Sequence, residues 1–315
     1  KSIVALIAIF NVKKNGYQAT LMVPTEILAN QHFKEAKTLF DKFNVEVELL
    51  TGSTSNKEKL RIKERISNGD NILVVGTHAL IQEDVNFKNL GIAITDEQHR
   101  FGVEQRNKLI NKGKRPDIVV MTATPIPRTL ALCMYSDLDV SIIDELPPGR
   151  KPIGTKFYSD EDRNLAYELA LEEISKGRQV YIVCPLIEET ETLDLNSVEK
   201  LYEELKSSYF KNIEVKVLHG KMKPKEKDEI INSFKDGETK VIISTTVIEV
   251  GVNVPNASLM IVENSERFGL AQLHQLRGRV GRGSYESYCI LIGKTKSEKT
   301  KRRVELMTES TDGFY

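Results

Sequence analysis

Short aliphatic runs of strand length alternate along this chain with longer amphipathic stretches, and that rhythm limits the fold more than any other feature. Residues 19–23, 72–75, 92–95 and 118–121 are runs of this kind, with Thr20 and Thr95 as their only polar residues. Between them, residues 27–40 and 57–67 carry apolar side chains at helical spacing, and Thr25 stands where the N-cap of the first belongs. Strands that are apolar throughout, separated by helices, predict a mostly parallel sheet with helices on both faces. The rhythm stops at residues 144–152, where three prolines and a glycine rule out a continuous helix or a central strand. It then restarts. Residues 180–184, 215–218, 241–244, 259–262 and 288–292 read as strands, and residues 160–175, 197–209 and 225–234 as helices. An α/β protein of two domains is expected, residues 1–147 and 148–296, with a cleft between them. Residues 297–315 are expected to start a C-terminal helical extension that is cut short.

A chain of 315 residues is long enough for two such cores. Lys and Arg number 45 and Asp and Glu 45, so a nucleic-acid surface here has to be a local basic groove. The densest basic run, with Lys296, Lys299, Lys301, Arg302 and Arg303, reads as the solvated start of a helix. No apolar run approaches the about 20 residues that span a bilayer. The apolar opening, residues 1–10, lacks a signal peptide's cleavage site and polar flanks. No membrane association and a cytoplasmic setting are expected. Cys133, Cys184 and Cys289 lie far apart in apolar stretches and read as buried free thiols. No Cys or His pair has zinc spacing.

Asp96 and Glu97 directly follow a strand-like run. In an open parallel sheet, ligands bind outside the carboxyl ends of the strands. Two adjacent acids there can divide labour: one holds Mg2+, largely through water, and the other orients or deprotonates an attacking water. Alone, such a pair is weak evidence, and its company strengthens it. Lys1 and Ser2 precede an apolar, helix-like run, as Gly-Lys-Ser/Thr ends a phosphate-binding loop: Lys1 on the phosphates, the Ser2 hydroxyl on Mg2+. The glycines of that loop, and the strand before it, are not in the chain. Far downstream, residues 272–283 read Gln-Leu-His-Gln-Leu-Arg-Gly-Arg-Val-Gly-Arg-Gly. If helical, they put Gln272, Gln275, Arg279 and Arg282 on one face. Gly278 and Gly281 each weaken an isolated helix by about 1 kcal/mol relative to Ala, which suggests that a ligand or the opposite domain approaches closely. The arginines then face charge developing on a γ-phosphate. His32, on the first helical stretch, reads as a structural histidine.

Together these residues resemble a known family. Asp96-Glu97-Gln98-His99, Thr122-Ala123-Thr124 and Gln-x-x-Gly-Arg-x-Gly-Arg at residues 275–282 resemble motifs II, III and VI of superfamily 2 helicases. More narrowly, residues 24–32, 76–78, 96–105, 121–130, 143–150, 219–223, 245–257 and 272–282 resemble the RecG-type branched-DNA helicases, in the family's order. Translocases of the Mfd type share Thr-Ala-Thr-Pro-Ile-Pro-Arg-Thr and match less well elsewhere.

The resemblance implies two RecA-like domains with ATP in the cleft. It implies a monomeric ATP-dependent helicase that remodels replication forks and recombination junctions in DNA repair. On it, Lys1 and Ser2 bind phosphate and Mg2+, Asp96 binds Mg2+, and Glu97 is the water-activating base. Gln275, Arg279 and Arg282 are catalytic towards the γ-phosphate, and Gly251 and Asn253 lie beside the nucleotide. His99, Thr122 and Thr124 couple hydrolysis to domain movement. DNA meets Pro24, Thr25, Glu26, Thr77, His78, Arg128, His219, Thr245 and Thr246, largely through its backbone. The family's upstream wedge domain and downstream translocation motif are not in the chain, and without the Gly-rich phosphate loop these residues alone are expected to hydrolyse ATP poorly. Asn253 stands where the family has Asp and keeps an acceptor oxygen. The competing readings are a non-catalytic DNA-binding module that keeps the fold and an RNA helicase, where Asp-Glu-x-His also occurs.

Overall fold

Local signals start two helices of the first half of the chain and stop one of them, and the computed structural model shows these signals in place. It describes residues 1–97, 101, 103–122, 139–143, 151–185, 191–245, 254–295 and 297–309. These belong to two units, Lys1–Ala123 and Thr124–Tyr315. The expected boundary at residues 147 and 148 lies outside the described residues.

The first unit runs α1 (Ser2–Lys14), β1 (Gln18–Met22), α2 (Glu26–Phe40), β2 (Glu46–Leu50), α3 (Asn56–Asn68), β3 (Ile72–Gly76), β4 (Leu90–Thr95), α4 (Val103–Ile110) and β5 (Asp117–Val120). Thr25 Oγ1 accepts from the Leu28 N–H at 3.3 Å and caps α2. Ser55 caps α3 in the same way, and Gly69 ends it in the left-handed conformation, φ +86°. The strands form one sheet in the order β2-β3-β1-β4-β5, parallel throughout. β1 and β3 are buried at every position, as continuous apolar runs require. β2 and α4 were not expected. β2 is an edge strand whose Glu46 and Glu48 pair outward with Arg65 and Arg61 of α3, so it carries no apolar run to detect.

The second unit runs β6 (Ile153–Tyr158), α5 (Arg163–Ser175), β7 (Gln179–Val183), α6 (Glu191–Ser208), β8 (Val215–Leu218), α7 (Pro224–Lys235), β9 (Val241–Ser244), β10 (Ala257–Val262), α8 (Leu270–Arg277), β11 (Ser287–Ile292) and α9 (Glu298–Glu309). Its sheet order is β6-β11-β10-β7-β9-β8, again parallel throughout. Basic residues expected in a solvated helix start are partly tucked in. Arg303 donates to the Glu266 and Phe268 carbonyls, the former at 3.1 Å, and Val304 and Met307 of α9 are buried. Cys184 and Cys289 are buried free thiols, both pushed up to about 12 by burial; Cys133 lies outside the described residues. Among the described residues, no helix is long and apolar enough to cross a membrane.

The two sheets repeat one topology. β2-β3-β1-β4-β5 corresponds to β8-β9-β7-β10-β11, and β6 is an added edge. The helices leading into β1 and β7, α1 and α5, are each 13 residues long. Gln18 and Gln179 open those strands fully buried. Their side-chain amides donate to carbonyls at the end of α3 and α7, those of Ile66 and Phe234. The Thr77 and Thr245 N–H groups donate to the Leu50 and Leu218 carbonyls, each at 3.3 Å. In each unit two adjacent strands, β1 and β4 or β7 and β10, send their connections to opposite sides. The crevice at such a switch point is where open α/β sheets bind ligands.

Candidate active site

Asp96 leaves β4 at the first switch point, its N–H donating to the Met22 carbonyl of β1 at 3.0 Å. Three groups converge on its buried carboxylate. The Glu97 N–H donates to Oδ1 at 2.9 Å. Lys1 Nζ stands 3.8 Å from the same oxygen and 4.0 Å from Glu97 Oε1. His32 Nε2 lies 3.3 Å from Oδ2. Burial alone pushes this carboxyl up. The His32 contact, the Lys1 charge and the Glu97 N–H outweigh burial and hold it below the usual carboxylate range, so Asp96 is ionised at neutral pH. Glu97 adopts φ +53°, a left-handed conformation that costs a non-glycine residue about 1–3 kcal/mol. Lys1 is the N-cap of α1 but makes no side-chain capping bond, and its amine instead approaches the acids. Ser2 follows as the first residue of α1, whose free N–H groups favour an anion at this end.

Mg2+ is held by one or two carboxylates, water and substrate phosphates rather than by a protein cage. The donor set fits that ion: one buried, ionised carboxylate with an oxygen turned towards a lysine at the head of a helix. Among the described residues, no group of three or more His, Cys, Asp or Glu forms a cage.

The other strand ends of this sheet carry the residues expected to meet DNA. Pro24 and Thr25 follow β1, half-buried. Glu26 is already engaged. Its Oε1 accepts from the Ser53 N–H at 2.9 Å, and a Cβ on Gly52 would meet that oxygen at 2.8 Å. Its carboxylate ties the loop after β2 to the head of α2. Thr77 follows β3 with 1% exposure, and its hydroxyl has no hydrogen-bond partner. His78 is exposed and, with Gln82, Glu104, Gln105 and Lys108, lines a groove of about 440 Å³. Thr122 lies just beyond β5, half-buried.

In the second unit, Gln275 lies on α8, but that helix ends at Arg277 with Gly278 as its C-cap. Arg279 and Arg282 therefore lie past the helix, and the expected single face from Gln272 to Arg282 does not form. The glycines have a local reason instead. Gly278 closes the helix, and Gly281 sits at φ +71°, where a Cβ would meet Ile153 Cγ1 of β6 at 2.8 Å. Arg282 Nε donates to the Gly278 carbonyl at 3.4 Å. Burial pushes the Tyr181 phenol on β7 up, and the charges of Arg282 and Arg279 partly offset this. Thr245 follows β9 in the place that Thr77 holds after β3, with 2% exposure, and its hydroxyl also lacks a partner. The half-buried His219 after β8 has an unpartnered Nδ1, and burial lowers its pKa.

Glu263 occupies in this unit the position of Asp96, its N–H donating to the Val183 carbonyl of β7 at 2.8 Å. It is sealed. Arg163 Nε donates to Oε1 at 3.1 Å, and the Tyr167 hydroxyl donates to the same oxygen. Only the first copy of the switch point presents an acid towards a lysine at a helix head. His99, Thr124, Arg128, Thr246, Gly251 and Asn253 lie outside the described residues. His32 is the site residue that the sequence reading missed. Its one signal was a polar side chain in the apolar stripe of α2, between Leu28 and Ala36.

Duplicated parallel sheets with an acid pair at one switch point define the class: two RecA-like domains. Residues 1–132 match the DEAD/DEAH box helicase family and residues 162–284 the helicase conserved C-terminal domain. The chain belongs to the RecG-type helicases of superfamily 2. It is 51% identical over 315 residues to the ATP-dependent DNA helicase RecG of Synechocystis sp., covering 100% of this chain and 38% of that protein. It is 50% identical over 316 residues to RecG of Bacillus subtilis, covering 100% of this chain and 46% of that protein. Among solved structures, RecG bound to a three-way DNA junction matches with a TM-score of 0.83 and 48% identity, over 99% of this chain and 41% of that one. Dbp5 L327V of S. cerevisiae, bound to RNA and ADP BeF3, shares the fold at 17% identity and TM-score 0.72, over 98% of this chain and 80% of that one. The chain thus spans less than half the length of the RecG proteins it matches.

Proposed function

We propose that this chain is the ATP-hydrolysing motor of a cytoplasmic, monomeric helicase that remodels forked and branched DNA in repair and recombination, together with a wedge domain that splits the junction. The observation that carries this reading is the convergence of Lys1, Asp96 and Glu97 at the one switch point whose acid is left open. Lys1, the Ser2 hydroxyl and the first-turn N–H groups of α1 hold the phosphates. Asp96, with Ser2, would hold Mg2+, which when bound neutralises charge on the phosphate oxygens. Glu97, set beside Lys1 by its left-handed backbone, orients the attacking water and accepts its proton. Arg279 and Arg282 stabilise negative charge on the γ-phosphate, with Gln275 alongside. Gly251 and Asn253 stand beside the nucleotide, and His99, Thr122 and Thr124 relay hydrolysis to movement. In these roles the domains extend over residues 1–147 and 148–296, and residues 297–315 lead into the next element.

DNA is read here through its backbone. Thr77 and Thr245 support this, because they stand at the ends of equivalent strands with equivalent backbone hydrogen bonds, and their buried hydroxyls have no partner among the described residues. Pro24, Thr25 and the head of α2, His78, Arg128, His219 and Thr246 complete that surface. Glu26 acts through the loop it ties down.

The test is Glu97→Gln in the full-length protein. DNA-stimulated hydrolysis is expected to fall by about 100-fold or more while ATP binding persists. Turnover near that of the wild type would overturn the assignment. A motor that remodels branched DNA should also be stimulated more by forked DNA than by RNA.

A further inference from the structure

His32 belongs to the buried stripe of α2, in register with Leu28, Ala36 and Phe40. Packing does not call for an imidazole there, since an aliphatic side chain fills such a stripe as well. Burying a polar ring is unfavourable unless its nitrogens find partners. Two carboxylate oxygens of the described residues lie near this ring: Asp96 Oδ2 at 3.3 Å from Nε2 and Glu35 Oε2 at 4.0 Å from Nδ1. The first of these is the closer contact, and Asp96 is itself buried.

The two oxygens of Asp96 are thereby divided. Oδ1 accepts the Glu97 N–H and faces Lys1. Oδ2 faces His32. The carboxylate cannot turn about its Cβ–Cγ bond without giving up both contacts. The second unit shows the alternative. There Glu263 occupies the same position, but Arg163 and Tyr167 reach it from the helix before the central strand and share one oxygen. In the first unit the holding group comes from the helix after the central strand, and the oxygen facing Lys1 stays available.

We infer that His32 is a positioning residue: its Nε2–H holds Asp96 Oδ2 and so fixes Oδ1 as the oxygen presented to the divalent cation beside Lys1. This rests on the proposed role of Asp96 towards Mg2+. A group that orients a ligating carboxylate in this way is worth about 10- to 100-fold in metal affinity.

The experiment is an Mn2+ titration of the full-length protein with ADP, followed by electron paramagnetic resonance. His32→Leu is expected to weaken Mn2+ binding by about 10-fold or more. His32→Gln, whose amide N–H reaches the same oxygen, should recover most of the affinity. His32→Asn, polar but too short to reach, should behave like Leu and serves in its place if the Leu variant does not fold. Thermal unfolding and DNA affinity of the folded variants should match the wild type. Wild-type Mn2+ affinity in His32→Leu and His32→Asn overturns the inference, as does an equal loss in His32→Gln. Asp96→Asn separates the two levels. If it leaves Mn2+ binding unchanged, the role of Asp96 fails and the inference falls with it. If it abolishes binding while the short and apolar His32 variants bind normally, only the inference fails.

Discussion

Glu97 donates its backbone N–H to the side chain of the residue before it, Asp96 Oδ1, at 2.9 Å, and does so with φ at +53°. The left-handed conformation opposes stability, while the bond it permits helps to set the acid of the site. Glycine adopts this backbone without steric penalty but loses about 0.5–1 kcal/mol more chain entropy on folding, against about 1–2 kcal/mol of relieved left-handed strain. Glu97→Gly is therefore expected to leave stability unchanged or to raise it by up to about 1.5 kcal/mol, while hydrolysis falls as far as in Glu97→Gln. Urea unfolding and ATP turnover on the same sample check both halves. A clear loss of stability would show that the Glu97 side chain holds the fold rather than serving the chemistry.

Thr77 and Thr245 carry a similar signature, buried hydroxyls with no partner at equivalent strand ends. An unsatisfied buried hydroxyl costs about 1–3 kcal/mol. Thr77→Val and Thr245→Val keep the shape and remove the cost, so each should stabilise the protein by about 1 kcal/mol. If the hydroxyls donate to phosphates, the same variants should need several-fold more DNA for half-maximal ATPase. Stabilisation with unchanged DNA dependence would remove both residues from the DNA surface.

Residues that act through the chain's own local pattern were readable in the sequence, and residues that act through a distant neighbour were not. Residues 215–218 are apolar apart from Lys216 and residues 241–244 apart from Ser244, and β8 and β9 occupy them. β2 escaped because its outward acids answer arginines on α3. Asp96 and Glu97 were legible because a box of polar residues at a strand end is unusual, and Thr25 because capping is a matter of a few residues. His32 was not, since a histidine in a helical stripe reads as core until Asp96 is seen beside it. The spacing of the twelve residues from Gln272 allowed one helix. The chain instead leaves the helix at Gly278 and turns left-handed at Gly281, and neither leaves a trace in a periodicity.

α2 links two parts of the proposed mechanism: Thr25 caps its head, and His32 meets Asp96 about 10 Å along it at 1.5 Å per residue. Thr25→Ala removes the bond to the Leu28 N–H and should cost about 1 kcal/mol. Thr25→Asp restores a cap, and with it the stability, but places a negative charge where phosphate is expected. The Asp variant should therefore unfold like the wild type yet lose DNA-stimulated ATPase several-fold, increasingly so at low salt. Equal ATPase in Asp and wild type would mean that DNA does not reach the head of α2.

The two glycines of the arginine segment separate the old explanation from the new one. If they left room for a ligand, alanine at either would damage activity and spare stability. The geometry says otherwise. Gly281 is left-handed, and its Cβ would meet Ile153 Cγ1 at 2.8 Å, whereas Gly278 has φ −67° and its nearest obstacle is the His274 carbonyl at 3.4 Å. Gly281→Ala should destabilise the second unit by about 1–3 kcal/mol and displace Arg282, the next residue, lowering turnover with it. Gly278→Ala should stay within about 0.5 kcal/mol of the wild type in urea unfolding. The opposite order, a costly Gly278→Ala beside a harmless Gly281→Ala, would return the glycines to the role that the helical spacing first suggested.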